Sequence, residues 1–148
     1  LHALPEGLPD LAADAAADAV RLVEVLREDW EAGRVTFDAP GEALFGAFKG
    51  AALLGLCGLT GDPYLRQDNV GRVRRLYVLR AARRVGVGAA LVSAVEKAGS
   101  TAGLMRLRVR SPASAFGFYA RLGFLRVVGE PAATHVKLLV SGSPPGIP

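Results

Sequence analysis

One junction constrains this chain more than any other. Arg72 to Val78 interleaves charged side chains with Val73, Leu76, Tyr77 and Val78 and reads as a strand. Val85 to Ala98 carries Val87, Leu91, Ala94, Val95 and Ala98 along one face and reads as a helix. Between them run Arg83, Arg84, Val85, Gly86, Val87, Gly88 and Ala89, with two glycines at the mouth of the helix. Glycine there lets backbone N–H groups approach an anion closely, and the helix dipole favours negative charge at that end. The spacing is not a P-loop, because no Gly-Lys-Ser/Thr follows. It is not a Rossmann fingerprint either, because the third glycine and the downstream acid are missing.

The rest of the chain alternates between the two periods. Leu8 to Trp30 has apolar residues at three-and-four spacing, which predicts one amphipathic helix or two in series, with Gly33 as the stop. Ala43 to Phe48 and Ala51 to Thr60 read as strands around a Lys49-Gly50 turn. Leu104 to Arg110 alternates as a strand, and Pro112 suits the first turn of a helix running to Leu122, with Gly123 ending it. Phe124 to Val128 and Thr134 to Val140 close the pattern. The order helix, three strands, helix, strand, helix, two strands implies a mixed α/β layer structure around one sheet. Residues 1–140 are expected to form a single domain and 141–148, without periodicity, a loose C-terminal tail.

Composition narrows the function classes. The chain has 148 residues, of which 51% are hydrophobic and 22% charged, which excludes intrinsic disorder. Its longest uncharged stretch, Gly50 to Gly61, is too short for a membrane span, and no basic segment followed by an apolar core opens the chain. A cytoplasmic location without membrane contact is expected. The single cysteine, Cys57, excludes an internal disulfide, and no His/Cys/Asp/Glu set reaches metal-ligand spacing, so no metal is expected. Net charge is +4, and Arg66, Arg72, Arg74, Arg75, Arg80, Arg83 and Arg84 crowd one stretch. Arginine's planar fork suits phosphate, so the crowding suggests a phosphorylated ligand. Nucleic acid is the weaker reading, because aromatic-studded basic strands and zinc fingers are both missing.

A second segment, Ala115-Phe116-Gly117-Phe118-Tyr119-Ala120-Arg121-Leu122-Gly123-Phe124, puts an aromatic pair at helical spacing. Taken alone such a pair is usually core. Together the two segments resemble the GNAT superfamily of N-acetyltransferases. That family carries Gln/Arg-x-x-Gly-x-Gly/Ala after a strand, matched by Arg83, Gly86 and Gly88. It also carries a later Ala-x-x-Phe-Tyr-x-x-x-Gly-Phe-like box, matched by Ala115, Phe118, Tyr119, Gly123 and Phe124. The resemblance runs from about Gly71 to Phe124. It implies a GNAT-type mixed, mostly antiparallel central sheet flanked by helices, with Leu1 to Leu4 as the stub of a first strand.

It further implies acetyl-CoA as co-substrate. Leu76, Tyr77 and Val78 would offer backbone groups to the pantetheine arm. Arg83, Arg84, Val85, Gly86, Val87, Gly88 and Ala89 would hold the pyrophosphate. Tyr119 would act as general acid towards the departing sulfur. Where many relatives have asparagine, seven residues before that tyrosine, this chain has Pro112, beside Ser111. The implied activity is transfer of an acetyl group to a primary amine of a small molecule or peptide by direct attack. The alternative is a non-catalytic acyl-CoA-binding sensor or scaffold. No carboxylate falls on the Arg72–Val78 strand, so Asp62, Asp68, Glu130 and His135 are the reserve bases. Cys57 is expected to be inert packing. Monomer and homodimer both remain open.

Overall fold

The computed structural model describes residues 1–17, 20–65 and 67–139. Arg66 and the expected tail, 141–148, lie outside the described residues. The N-terminal amphipathic run forms two helices, α1 (Leu8–Ala17) and α2 (Leu22–Glu31). They bury Leu8, Leu11 and Ala15, then Val23 and Leu26, on one side of the sheet. Gly33, at φ +73°, stops α2 as expected and donates its N–H to the Trp30 carbonyl.

Six strands follow: β1 (Ala43–Lys49), β2 (Ala52–Gly61), β3 (Val70–Val78), β4 (Arg106–Val109), β5 (Leu125–Arg126) and β6 (His135–Leu138). They lie in the order β1-β2-β3-β4-β6-β5. Only β3 and β4 pair in parallel, joined by helix α3 (Val87–Thr101) as the crossover. Helix α4 (Phe116–Arg121) links β4 to β5. The layers enclose two apolar clusters. One joins α3 and α4 to the sheet through Cys57, Leu59, Val73, Leu91, Leu107, Tyr119 and Phe124. The other joins α1 and α2 through Leu44, Leu53, Leu56 and Tyr77. Each fully buried leucine contributes about 1.5–3 kcal/mol.

Two expectations are corrected. Leu1 to Leu4 form no strand, although the Leu1 amino group donates to the Leu44 carbonyl beside β1. Pro112 does not begin the helix. It is extended, at ψ 155°, and a 3-10 turn over Ala113–Ala115 comes before α4. Thr134 explains the detour, because its side-chain oxygen accepts from the Ser111 N–H at 3.1 Å and its own N–H bonds the Val109 carbonyl. The chain leaving β4 is thereby held to the loop before β6 for two residues more.

β3 and β4 stay together for only three residue pairs, Val70–Arg106, Gly71–Leu107 and Arg72–Arg108. β3 then continues to Val78 while β4 ends at Val109, so the sheet opens from Arg72 onward. Within the open part β3 carries a bulge. Arg75 and Leu76 together face only Cys57 on β2, and Arg75 adopts φ +57°. The extra residue reverses the alternation: Val73 and Leu76 face the α3 side, and Tyr77 faces α1. The doubled Arg74-Arg75 in the sequence is the trace of this bulge.

Candidate functional site

The gap between β3 and β4 is a cleft of about 450 Å³. Its walls are Arg72 to Tyr77 on β3 and Val109 to Pro112 at and just after the end of β4, with Val20, Leu22, Arg83, Ser114, Ala115 and Tyr119 completing the described lining. Beyond Arg72 no strand among the described residues pairs with the β4-facing edge of β3, so its backbone groups are turned to the cleft.

At one end of the open strand sits the start of α3. The first intrahelical bond there runs from the Ala90 N–H to the Gly86 carbonyl. The N–H groups of Val87, Gly88 and Ala89 thus have no acceptor within the helix. Gly86 is the cap residue at φ +87°, and no side-chain cap hydrogen bond is made there among the described residues. Arg84 is also left-handed, at φ +67°. A left-handed residue next to a right-handed one turns consecutive N–H groups into one concavity suited to an anion, and Gly86 against the first turn of α3 has that form. A β-carbon on Gly86 would meet nothing within 4 Å, so the space in front of the helix is open; one on Gly88 would stand 3.2 Å from the Phe118 ring. The residues present therefore fit a phosphate-bearing group.

Tyr119 is buried at 3% exposure, edge-on to Phe118 and Phe124 at ring distances of 5.0 and 5.2 Å, and it still reaches the cleft. Burial, with the neighbouring Cys57, pushes its phenol well above the ordinary tyrosine range. Tyr119 thus stays protonated and can donate a hydrogen bond into the cleft. Cys57, fully buried, has its thiol pushed up to about 12 by burial, in keeping with inert packing. His135 is buried against Phe116 and Tyr119, with Nδ1 2.9 Å from Thr134 Oγ1. Burial lowers its pKa, so it stands behind the tyrosine as a neutral ring.

Leu76, Tyr77, Arg83 and Tyr119 come together around the cleft. Val78 lies one step outside it. Arg84, Val85, Gly86, Val87, Gly88 and Ala89 continue from Arg83 into the first turn of α3, and Val78 Cγ2 lies 3.7 Å from the position of a Gly88 β-carbon. Ser111 and Pro112 line the opposite wall, but the Ser111 hydroxyl is turned to the Pro112 carbonyl at 3.2 Å. Among the described lining residues there is no carboxylate and no histidine.

The arginine crowd does not form one phosphate site. Arg75 pairs with Asp29 on α2, Arg80 with Asp14 on α1, and Arg72 with Asp62. Only Arg83 and Arg84 border the helix start; Arg83 bonds the Val78 carbonyl and stacks on Tyr77. Sequence reasoning missed Asp14, which accepts from the Tyr77 hydroxyl at 2.7 Å and the Arg80 N–H at 3.0 Å. That contact spans 63 residues, and nothing local marks it.

A family model described as an acetyltransferase (GNAT) domain matches residues 10–139. The chain belongs to the GNAT acetyltransferase family. Among solved structures, a GNAT-like relative from Exiguobacterium sp. 255-15, assigned as an acetyltransferase, is 31% identical. It has a TM-score of 0.79, over 90% of this chain and 85% of that one. A GNAT-family acetyltransferase from Staphylococcus aureus Mu50 is 15% identical, with a TM-score of 0.72, over 90% and 92%. The PaiA N-acetyltransferase of Thermoplasma acidophilum, solved in complex with coenzyme A, is 18% identical, with a TM-score of 0.62, over 88% and 86%. At such identities the last two attest the GNAT fold alone. No curated protein sequence matches the chain significantly. The mixed, mostly antiparallel sheet flanked by helices is as expected; among the described residues it has six strands, of which β3 and β4 pair in parallel. Among the described residues no helix is long and apolar enough to cross a membrane, and no His/Cys/Asp/Glu group could hold a metal.

Proposed function

We propose that this domain, residues 1–140, transfers an acetyl group from acetyl-CoA to a primary amine by direct attack. The observation that carries the reading is the cleft itself: a β3 edge without a strand partner, an open helix start at one end, and a buried, protonated tyrosine in its wall. Acetyl-CoA would supply the activated acetyl thioester. The N–H groups from Arg84 to Ala89 would hold the pyrophosphate, with Arg83 and Arg84 adding positive charge. Leu76, Tyr77 and Val78 would bond the pantetheine arm in the manner of a missing strand. Tyr119 would donate a hydrogen bond to the sulfur as the amine displaces it, and the proton lost by the amine would pass to water. The raised phenol pKa makes complete proton transfer to the sulfur more uphill, so the contribution of Tyr119 would be a hydrogen bond to the developing thiolate rather than full transfer.

The absence of a carboxylate or histidine from the described cleft lining supports a second reading, an acyl-CoA-binding domain without turnover. Calorimetry with acetyl-CoA, followed by thiol release across a panel of amines, separates the two. Submicromolar to micromolar binding with thiol release supports transfer, and binding without release supports the sensor. Failure to bind at near-millimolar acetyl-CoA overturns both.

A further inference from the structure

The opened sheet has a second polar feature, at the end of the cleft away from α3. Arg72 and Arg108 are paired neighbours on β3 and β4, and both are buried. They share one acid. Asp62 Oδ2 accepts from Arg108 Nη1 at 2.8 Å and stands 3.5 Å from Arg72 Nη1. Arg108 has further partners, the Pro131 carbonyl and, at 3.9 Å, Glu130. Arg72 has less. Its side chain is 9% exposed, its Nη1 has no hydrogen-bond acceptor among the described residues, and the Tyr64 ring covers the guanidinium at 4.8 Å. Nη1 is sealed off, as is the Nε of Arg108, so a ligand can reach Arg72 only through the rest of its guanidinium.

What Arg72 adjoins is the cleft, whose described lining also includes Arg74 and Arg110 and has no acid. This positive charge is not placed for the phosphates of a nucleotide-bearing co-substrate. Arg72 lies six residues along β3 from Val78, roughly 20 Å from the start of α3. It also lies on the other face of the strand from Val73, which packs towards α3 and α4. One planar guanidinium edge satisfies both oxygens of a carboxylate, whereas a phosphate dianion calls for a second cation close by.

We propose that the acceptor is an amino-carboxylate and that Arg72 is its anchoring residue, taking the carboxylate at the base of the cleft while the amine faces the Tyr119 side. This rests on the transferase reading and adds the acceptor class to it. The carboxylate would take the guanidinium edge that is turned away from Asp62, where Nε and Nη2 make no hydrogen bond among the described residues, and Arg74 and Arg110 would draw the anion inward.

The test uses the full chain loaded with coenzyme A. Binding of the common L-amino acids and their carboxamides is measured by calorimetry, and turnover of the same pairs with acetyl-CoA is followed by thiol release. At least one acid should bind more tightly than its amide by roughly tenfold to a hundredfold, the worth of a charge-assisted hydrogen-bonded pair. Arg72→Gln should raise KM for that acid by the same factor, leaving its kcat and the amide's KM nearly unchanged; Arg72→Lys should restore part of the loss. If Arg72→Gln does not fold, the acid–amide difference in the wild type and in Arg72→Lys decides. Acids and amides that bind alike, or no binding of either, overturn the anchoring role whether or not turnover is seen. Acid-selective binding without turnover keeps the anchor and overturns the transferase reading instead.

Discussion

Tyr119 shows how a side chain can belong to a core and a site at once. Its ring fills the cluster with Phe118 and Phe124, and its edge meets the cleft. Replacing it with phenylalanine keeps the ring contacts and removes only the donor. Tyr119→Phe should therefore lower kcat by roughly 10²-fold, with acetyl-CoA affinity changed little. Steady-state kinetics and calorimetry together check this, and an unchanged kcat would leave the tyrosine with a packing role alone. The sequence identified this residue through the box around it, because Ala115, Phe118, Tyr119 and Gly123 sit close together in the chain. Asp62 and Arg72 were not legible in the same way. They belong together through the register of β2, β3 and β4, and the 46 residues between Asp62 and Arg108 hide their pairing from any local pattern.

At the scale of elements, the start of α3 was legible to within two residues, because Gly86 supplies both the cap and the left-handed turn that a helix beginning there requires. The structure separates the two glycines by cause. Gly86→Ala adds a β-carbon in empty space and strains the backbone by about 1–2 kcal/mol. Gly88→Ala crowds the Phe118 ring at 3.2 Å with the backbone unstrained. Both should weaken acetyl-CoA binding at least tenfold, but circular dichroism melts should show a clear loss of stability mainly for Gly86→Ala. Equal affinity in Gly86→Ala and the wild type would argue against a phosphate at that helix end. The latch between α1 and the end of β3 is a second element-scale device. Asp14 has its pKa held below the ordinary 3.8, chiefly by the Tyr77 hydroxyl and then by the Arg80 N–H. A depressed carboxylate stabilises the fold above its unfolded pKa, and that contribution fades as pH falls through the lower, folded value. Asp14→Ala should thus cost about 1 kcal/mol at pH 7, and the difference from the wild type should shrink as pH falls below the ordinary carboxylate range, as read by denaturant melts.

Across the whole molecule, the charge excess and the open sheet act on the same nucleophile. The chain carries 18 basic against 14 acidic side chains, and the described cleft lining includes Arg72, Arg74, Arg75, Arg83 and Arg110 without any acid. The order of elements was readable from periodicity alone. The opening was not, because it depends on β4 stopping at Val109 while β3 runs on to Val78, which no local pattern marks. Of the reserve bases, Asp62 is buried beneath Arg72 and Arg108 and His135 lies behind Tyr119, so neither faces an incoming amine. A positive cleft without a base disfavours the ammonium form, and the amine must then arrive as the neutral base largely on the strength of its own pKa. A lysine-like amine near 10.4 is uphill by about 4.6 kcal/mol at pH 7, whereas an α-amine near 7.8 is uphill by about 1 kcal/mol. The domain should therefore acetylate α-amines in preference to lysine side chains at neutral pH. With an acceptor that carries both, the α-acetyl product should dominate at pH 7, and kcat/KM for the side-chain amine should climb about tenfold per pH unit up to its pKa. A side-chain preference at pH 7, with kcat/KM flat in pH, would mean that Asp68 or Glu130 is brought in from its loop as a base once the acceptor is bound.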